Sequence, residues 1–164
     1  MTMPVGAESP TASRDTAEVI APPPLIYLGG LAIGFVLDVL LPEASLPGGV
    51  RWGLGGVLLA AGLGLLGWWI GSFRRTRTPM PPWQPTTALV TDGPYRLSRN
   101  PAYLADAMIF AAIALLADAP WVLLALPPVL AVMQQGVIKR EERYLERRFG
   151  QQYGDLKART RRWI

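Results

Sequence analysis

Four apolar runs decide what this chain can fold into. They are PLIYLGGLAIGFVLDVLL (24–41), VRWGLGGVLLAAGLGLLGWWIGSF (50–73), PAYLADAMIFAAIALLA (101–117) and PWVLLALPPVLAVMQQGVI (120–138). A helix needs about 20 residues to cross the hydrocarbon core of a bilayer, and all four runs come near that length, the third at the short limit. In lipid, backbone N–H and C=O groups must be satisfied internally, so runs of this kind are read as helices. The expected fold is all-α, a polytopic membrane bundle of four transmembrane helices. Pro101 and Pro120 open their runs, where a missing N–H costs nothing. Only Asp118 and Ala119 separate the last two runs, which predicts a tight antiparallel hairpin.

The placement of Lys and Arg orients such a bundle. With four spans, the N-terminal leader, the 74–100 loop and the 139–164 tail share one side, which carries every Lys and Arg except Arg51. That side is expected to be cytoplasmic, with both termini on it. The excess of 16 Lys and Arg over 12 Asp and Glu is concentrated in blocks beside apolar segments. Those blocks suit membrane lipid headgroups as partners, and nucleic acid is not expected. Residues 1–21 read as a disordered leader without the positive start of a signal peptide. Residues 22–164 read as one membrane domain. A composition rich in Ala, Gly, Arg and Pro suggests a bacterial inner-membrane protein.

Small residues predict packing faces, with Gly30 and Gly34 on the first span and Ala60, Gly64 and Gly67 on the second. Pro127 and Pro128 predict a bend in the fourth span, or a locally opened cavity wall. The tail begins VIKREERYLERRFG, in which Val137, Ile138, Glu141, Tyr144, Leu145 and Arg148 recur at helical spacing. It is expected to continue the fourth span as an amphipathic helix that Gly150 ends. A second short helix near 151–159 is expected to lie on the headgroups, with Arg161, Arg162 and Trp163 as an interfacial anchor.

Chemistry is bounded by two absences. The chain has no cysteine and no histidine, which removes thiolate and imidazole ligands, cysteine nucleophiles and Ser-His-Asp catalysis. No carboxylate cluster suggests a metal. The hydrogen-bonding groups concentrate instead in GPYRLSRNPAYL (93–104), at the edge of the third span. Turn chemistry explains Gly93 and Pro94, and a helix cap explains Asn100 and Pro101. Tyr95, Arg99 and Tyr103 are left over. Glu141 lies on the apolar face of the tail and needs a partner, for which Arg99 is the candidate. One reading is a purely structural Arg–Glu staple in a non-catalytic membrane protein. Another is a grip on a zwitterionic ligand.

LVTDGPYRLSRNPAYL, a helical hairpin, and then EERYLERRFGQQYGDLKARTRRWI resemble the isoprenylcysteine carboxyl methyltransferase and phospholipid methyltransferase group of membrane enzymes. The resemblance spans about 78–164 and includes the Thr-Pro…Pro…Pro pattern that starts at Thr78. It implies S-adenosylmethionine as the cofactor, bound at the cytoplasmic membrane edge. Carried over, the cofactor-binding residues are Gly93, Pro94, Tyr95, Arg99, Asn100, Pro101, Tyr103, Leu104, Glu141 and Glu142. Arg99 and Glu141 are the candidate catalytic residues. The implied acceptor is a lipophilic small molecule or lipid bearing a carboxylate or amine. The chain has Arg-Asn-Pro where eukaryotic relatives have Arg-His-Pro, and Ala105 where Gly is usual. Asp106 lies outside that motif. As a carboxylate just inside the third span, it is a candidate for the acceptor pocket. A membrane reductase using NADPH, with its loosely similar Arg-His-x-x-Tyr region, is the rival enzyme class.

Overall fold

The computed structural model describes residues 17–41, 45–76 and 89–164. The described residues form an all-α fold. Helix α1 is Pro23–Leu40 and α2 is Gly55–Thr76, entered through a wide π-helical turn at Val50–Leu54. A 3₁₀ turn, Gly93–Arg96, precedes α3 (Pro101–Leu116) and α4 (Pro120–Met133). A second π-helical turn, Gln134–Ile138, joins α4 to α5 (Lys139–Phe149), and α6 is Gln151–Arg159. Thr78 and the prolines at 79, 81, 82 and 85 lie outside the described residues.

Three helical stretches are long and apolar enough to cross a membrane: Pro23–Leu40, Val50–Arg74 and Pro120–Phe149. The fourth expected span, α3, has 16 residues. At 1.5 Å per residue it reaches about 24 Å, short of a core about 30 Å thick. Its shortness goes with its position. α3 packs between α2 and α4, and α1 packs mainly on α4 while also touching α3. The central helix therefore carries the densest core, with Ala105, Phe110, Ala112, Ala114 and Leu115 buried. The flanking helices turn large apolar side chains such as Leu28, Val36, Val57 and Leu63 outward, as helices facing lipid do.

Glycine sets how closely these helices meet. A Cβ at Gly34 would lie 2.7 Å from the Val122 Cα, and one at Gly30 would collide with Val129, so the α1 pair is the surface on which α4 packs. The expected face on α2 is different. Ala60, Gly64 and Gly67 are exposed, and Gly62 is the residue against α3, where a Cβ would lie 2.8 Å from Ile109 Cγ1. Small residues stand on more than one side of α2, and only docking selects the side used.

Pro127 and Pro128 do not interrupt α4, and both are exposed on its outer surface. The irregularity falls one to two turns later, in the π-helical turn. There Ile20 donates its N–H to the Gly136 carbonyl at 3.2 Å and lays its side chain over Gly136. At the opposite end, the turn between α3 and α4 places Asp118 at φ +57°. Its carboxylate accepts from Leu46 N–H (2.8 Å), Ser45 Oγ (2.9 Å) and Arg51 Nη1 (2.8 Å). The one cation outside the basic side is thereby neutralised. The Leu46 N–H, first, and then Ser45 and Arg51 hold the Asp118 carboxyl below its usual range.

Candidate functional site

The motif begins in a turn that only glycine fits. Gly93 has φ +66°, and a Cβ there would lie 2.8 Å from Ser72 Oγ and 3.3 Å from Trp68 Nε1. Pro94 follows, fully buried. The next residue, Tyr95, accepts a hydrogen bond from Trp69 Nε1 at 3.1 Å, and its ring stands 6.3 Å from that of Phe73. An aromatic cluster at the end of α2 thus fixes the turn. Burial pushes the Tyr95 phenol well above its ordinary value, so it stays protonated at neutral pH.

Beyond the turn, the C-terminal residues fold back over the motif. Arg99 N–H donates to the Arg161 carbonyl at 3.0 Å. Ser98 Oγ and Asn100 Nδ2 both donate to the Arg162 carbonyl, at 3.1 and 3.0 Å. Trp163 Nε1 donates to Gln134 Oε1 at 3.1 Å, and its ring packs on the core. This differs from two expectations. Asn100 stands at the N-cap position of α3, but its side chain makes no cap bond, because the amide is spent on the strap. Arg162 and Trp163 knit the strap to the protein instead of serving as an interfacial anchor. Once α6 has brought the chain back, the free carbonyls of 161 and 162 meet unpaired donors at 98–100. Those donors would otherwise be buried without partners.

The carboxylates are shared out differently from the expected Arg99–Glu141 pair. Glu142 is buried, and Arg162 holds both its oxygens through Nε at 2.9 Å and Nη2 at 2.7 Å. Arg99 Nη2 adds a contact with Glu142 at 3.6 Å. Glu141 accepts instead from the Tyr103 hydroxyl at 2.9 Å. Successive residues on a helix point about 100° apart, so one glutamate faces the strap and the other faces α3. Tyr103 is steadied in turn by α1, where the Tyr27 hydroxyl donates to the Tyr103 carbonyl at 2.9 Å.

Two features are left open. The Arg99 side chain is about nine-tenths buried, yet its Nε and Nη1 have no hydrogen-bond partner. Glu141 has no ion pair among the described residues, and Tyr103 is its one hydrogen-bond donor. The Arg99 guanidinium and the Glu141 carboxylate are thus the two charged groups of the motif left with unused hydrogen-bonding or ion-pairing capacity among the described residues. The first suits an anion through charge-assisted hydrogen bonds, and the second suits a cation. Among the candidate residues, Pro94, Asn100 and Pro101 are buried and shape the loop, and Leu104 N–H donates to the Asn100 carbonyl at 3.0 Å. Asp106 is half-buried on α3 and pairs with neither Arg96 nor Arg99, whose partners are Asp92 and Glu142. Among the described residues, no group of Asp and Glu could hold a metal ion.

Sequence reasoning missed Ser98, Trp69, Gln134 and the strap role of Arg162. No local signal marks the first three. Arg162 was legible only as a cation near a membrane.

A comparison with curated proteins finds no match. The sequence profile of the phospholipid methyltransferase family matches residues 50–152, more than half of the chain. That stretch runs from the start of the second apolar helix through Arg99, Tyr103, Glu141 and Glu142. It joins lipid-crossing helices to the polar cluster described above, as a methyl-transferring enzyme working at a bilayer requires. The chain belongs to the phospholipid methyltransferase family of membrane enzymes.

Proposed function

We propose that this protein is an S-adenosylmethionine-dependent methyltransferase that acts on a lipophilic acceptor at the cytoplasmic edge of a bacterial inner membrane. The observation that carries this reading is the buried Arg99 guanidinium, whose Nε and Nη1 lack partners, together with a Glu141 that has no ion pair among the described residues. The methionine end of the cofactor is a zwitterion, and the donor set matches it in charge. Arg99 would hold the carboxylate. Glu141, oriented by Tyr103, would hold the ammonium. Glu142 is saturated by Arg162 and Arg99, so it acts by fixing Arg99.

When bound, the cofactor supplies an electrophilic methyl group. The residues here bind, orient and exclude water, which is most of what such a transfer asks of a protein. A carboxylate or amine acceptor would arrive laterally between lipid-facing helices, with its polar end at headgroup level. Asp106, half-buried one turn beyond Tyr103 and without an ion pair among the described residues, is the residue proposed to meet it. The near confinement of Lys and Arg to one side supports cytoplasmic termini.

A second reading has its own observation. The Arg162–Glu142–Arg99 cluster joins loop, strap and α5, and could be a staple and nothing more. Calorimetry of S-adenosylhomocysteine with the protein in lipid nanodiscs separates the two readings, with NADPH as comparison. Micromolar binding that Arg99→Ala weakens, in a variant that melts like wild type, supports the methyltransferase. No binding in a folded sample leaves the staple. Binding of NADPH alone makes the chain a reductase.

A further inference from the structure

Three arginines of α5, Arg140, Arg143 and Arg147, line an open surface pocket of about 160 Å³, bordered on its other side by Ala17 and Glu18. The volume has room for about five waters. The spacing i, i+3, i+7 puts three like charges on one helix face, which is unfavourable without a counter-charge. In the tail Lys157 pairs with Glu146 and Arg162 with Glu142, and among the described residues the three arginines of this face have no ion pair. Arg140 Nη1 donates to the backbone carbonyl of Glu18 at 2.9 Å, which leaves its charge uncompensated. Arg143 and Arg147 have no carboxylate partner among the described residues, and the Glu18 carboxylate pairs with none of the three.

Depth says what would fill the pocket. The fully buried Val137 and Ile138 end the apolar part of the helix, and Arg140 stands two residues beyond. From Arg140 to Arg147 the helix rises about 10 Å. The headgroup layer on one side of a bilayer is about 5–7 Å thick, so a helix running along the membrane normal would set Arg140, about 3 Å beyond Ile138, within it and Arg143, about 7.5 Å beyond, at its outer edge. Leader residues 17–20 are tied to the same helix through the Ile20–Gly136 bond and the Glu18–Arg140 bond. The pocket is therefore bordered by ordered chain. The mean direction of the three arginines lies roughly 130° around α5 from either Glu141 or Glu142, away from the proposed cofactor seat.

We infer that Arg140, Arg143 and Arg147, with the leader main chain at 17–18, form a binding site for the phosphodiester of an anionic phospholipid. This lipid is held as a fixed part of the fold and is distinct from the methyl acceptor. Guanidinium forks suit phosphate oxygens, and one lipid phosphate would offset part of the positive charge of a face that has no ion pair among the described residues.

The test is native mass spectrometry of the full chain released from nanodiscs of phosphatidylcholine with added phosphatidylglycerol. A titration of the lipid in detergent gives the affinity. The expected result is one retained phosphatidylglycerol per chain. It should bind about ten- to thirtyfold more weakly in the double variant Arg143→Gln/Arg147→Gln. The control Arg159→Gln/Arg161→Gln removes the same charge from side chains outside the pocket and should retain the lipid. Equal loss in both variants would reduce the effect to net charge and overturn the site. Retention in the Arg143/Arg147 variant would overturn it directly. A third arm adds inorganic phosphate in detergent. Displacement of the lipid by millimolar phosphate would show a site for free phosphate and overturn the lipid assignment.

Discussion

Arg162 grips both oxygens of Glu142, at 2.9 and 2.7 Å, across 20 residues of chain. The pair ties the strap to the helix that continues the last apolar run. It also decides what Arg99 can do. With Glu142 occupied, Arg99 keeps one long contact at 3.6 Å and two N–H groups without partners.

Arg162→Ala should therefore cost both stability and binding. Glu142 would be left buried with one distant cation, and Arg99 would be drawn toward it. Because Arg162 is about one-third exposed, the expected loss is about 1–3 kcal/mol, at the modest end for a charged hydrogen-bonded pair. Thermal melting in nanodiscs checks the stability, and S-adenosylhomocysteine calorimetry checks the binding. Arg162→Lys should recover more stability than binding, since an ammonium lacks the fork that fits both oxygens.

Arg99→Lys should keep the charge and lose the geometry. Replacing a charge-assisted pair of bonds with a single one should weaken S-adenosylhomocysteine about tenfold or more. Melting should change less than in Arg162→Ala. Equal melting with unchanged affinity would contradict the role given to the Nε and Nη1 groups.

Glu141→Gln and Tyr103→Phe separate the cation seat from its support. Glu141→Gln removes the charge and can still accept from Tyr103, so binding should fall by tenfold or more while the fold holds. Tyr103→Phe removes one hydrogen bond, worth about 1 kcal/mol, and should weaken binding only several-fold. A larger effect from Tyr103→Phe than from Glu141→Gln would reverse these assignments.

The opposite end of the bundle gives a pH test. Asp118 is held below its usual carboxylate range in the fold, by the Leu46 N–H first, then Ser45 and Arg51. Its unfolded value is about 3.9. The stabilisation it contributes is present above that value and is lost as pH falls toward the depressed folded value. Asp118→Asn should lower the melting temperature at pH 7, and the gap to wild type should close below about pH 4. Cofactor affinity should not change, because the turn lies at the other end of the helices.

Gly93→Ala should damage the motif locally. It places a Cβ 2.8 Å from Ser72 Oγ at φ +66°, a conformation that costs a non-glycine residue roughly 1–2 kcal/mol. Quenching of the tryptophans near the turn, read against global melting, distinguishes a displaced loop from an unfolded protein.

The sequence by itself determined the helices, because hydrocarbon leaves a backbone no other way to satisfy its hydrogen bonds. It determined the short link between α3 and α4, since two residues leave no room for anything but a tight turn. It also singled out Tyr95, Arg99, Tyr103 and Glu141, because charged and phenolic groups beside apolar runs need partners, while Glu142 entered only through the resemblance to the methyltransferase group. Partner choice was a matter for the tertiary structure. Adjacent glutamates look alike in sequence, and only the direction each takes from α5 gives Glu142 to Arg162 and Glu141 to Tyr103. Small residues occur on several sides of α2, and only docking on α3 makes Gly62 the contact. The strap was hidden for the same reason. Its hydrogen bonds to Ser98, Arg99 and Asn100 come from backbone carbonyls of 161 and 162, groups that every residue carries. Only the path of the chain through α5 and α6 brings those carbonyls to the motif.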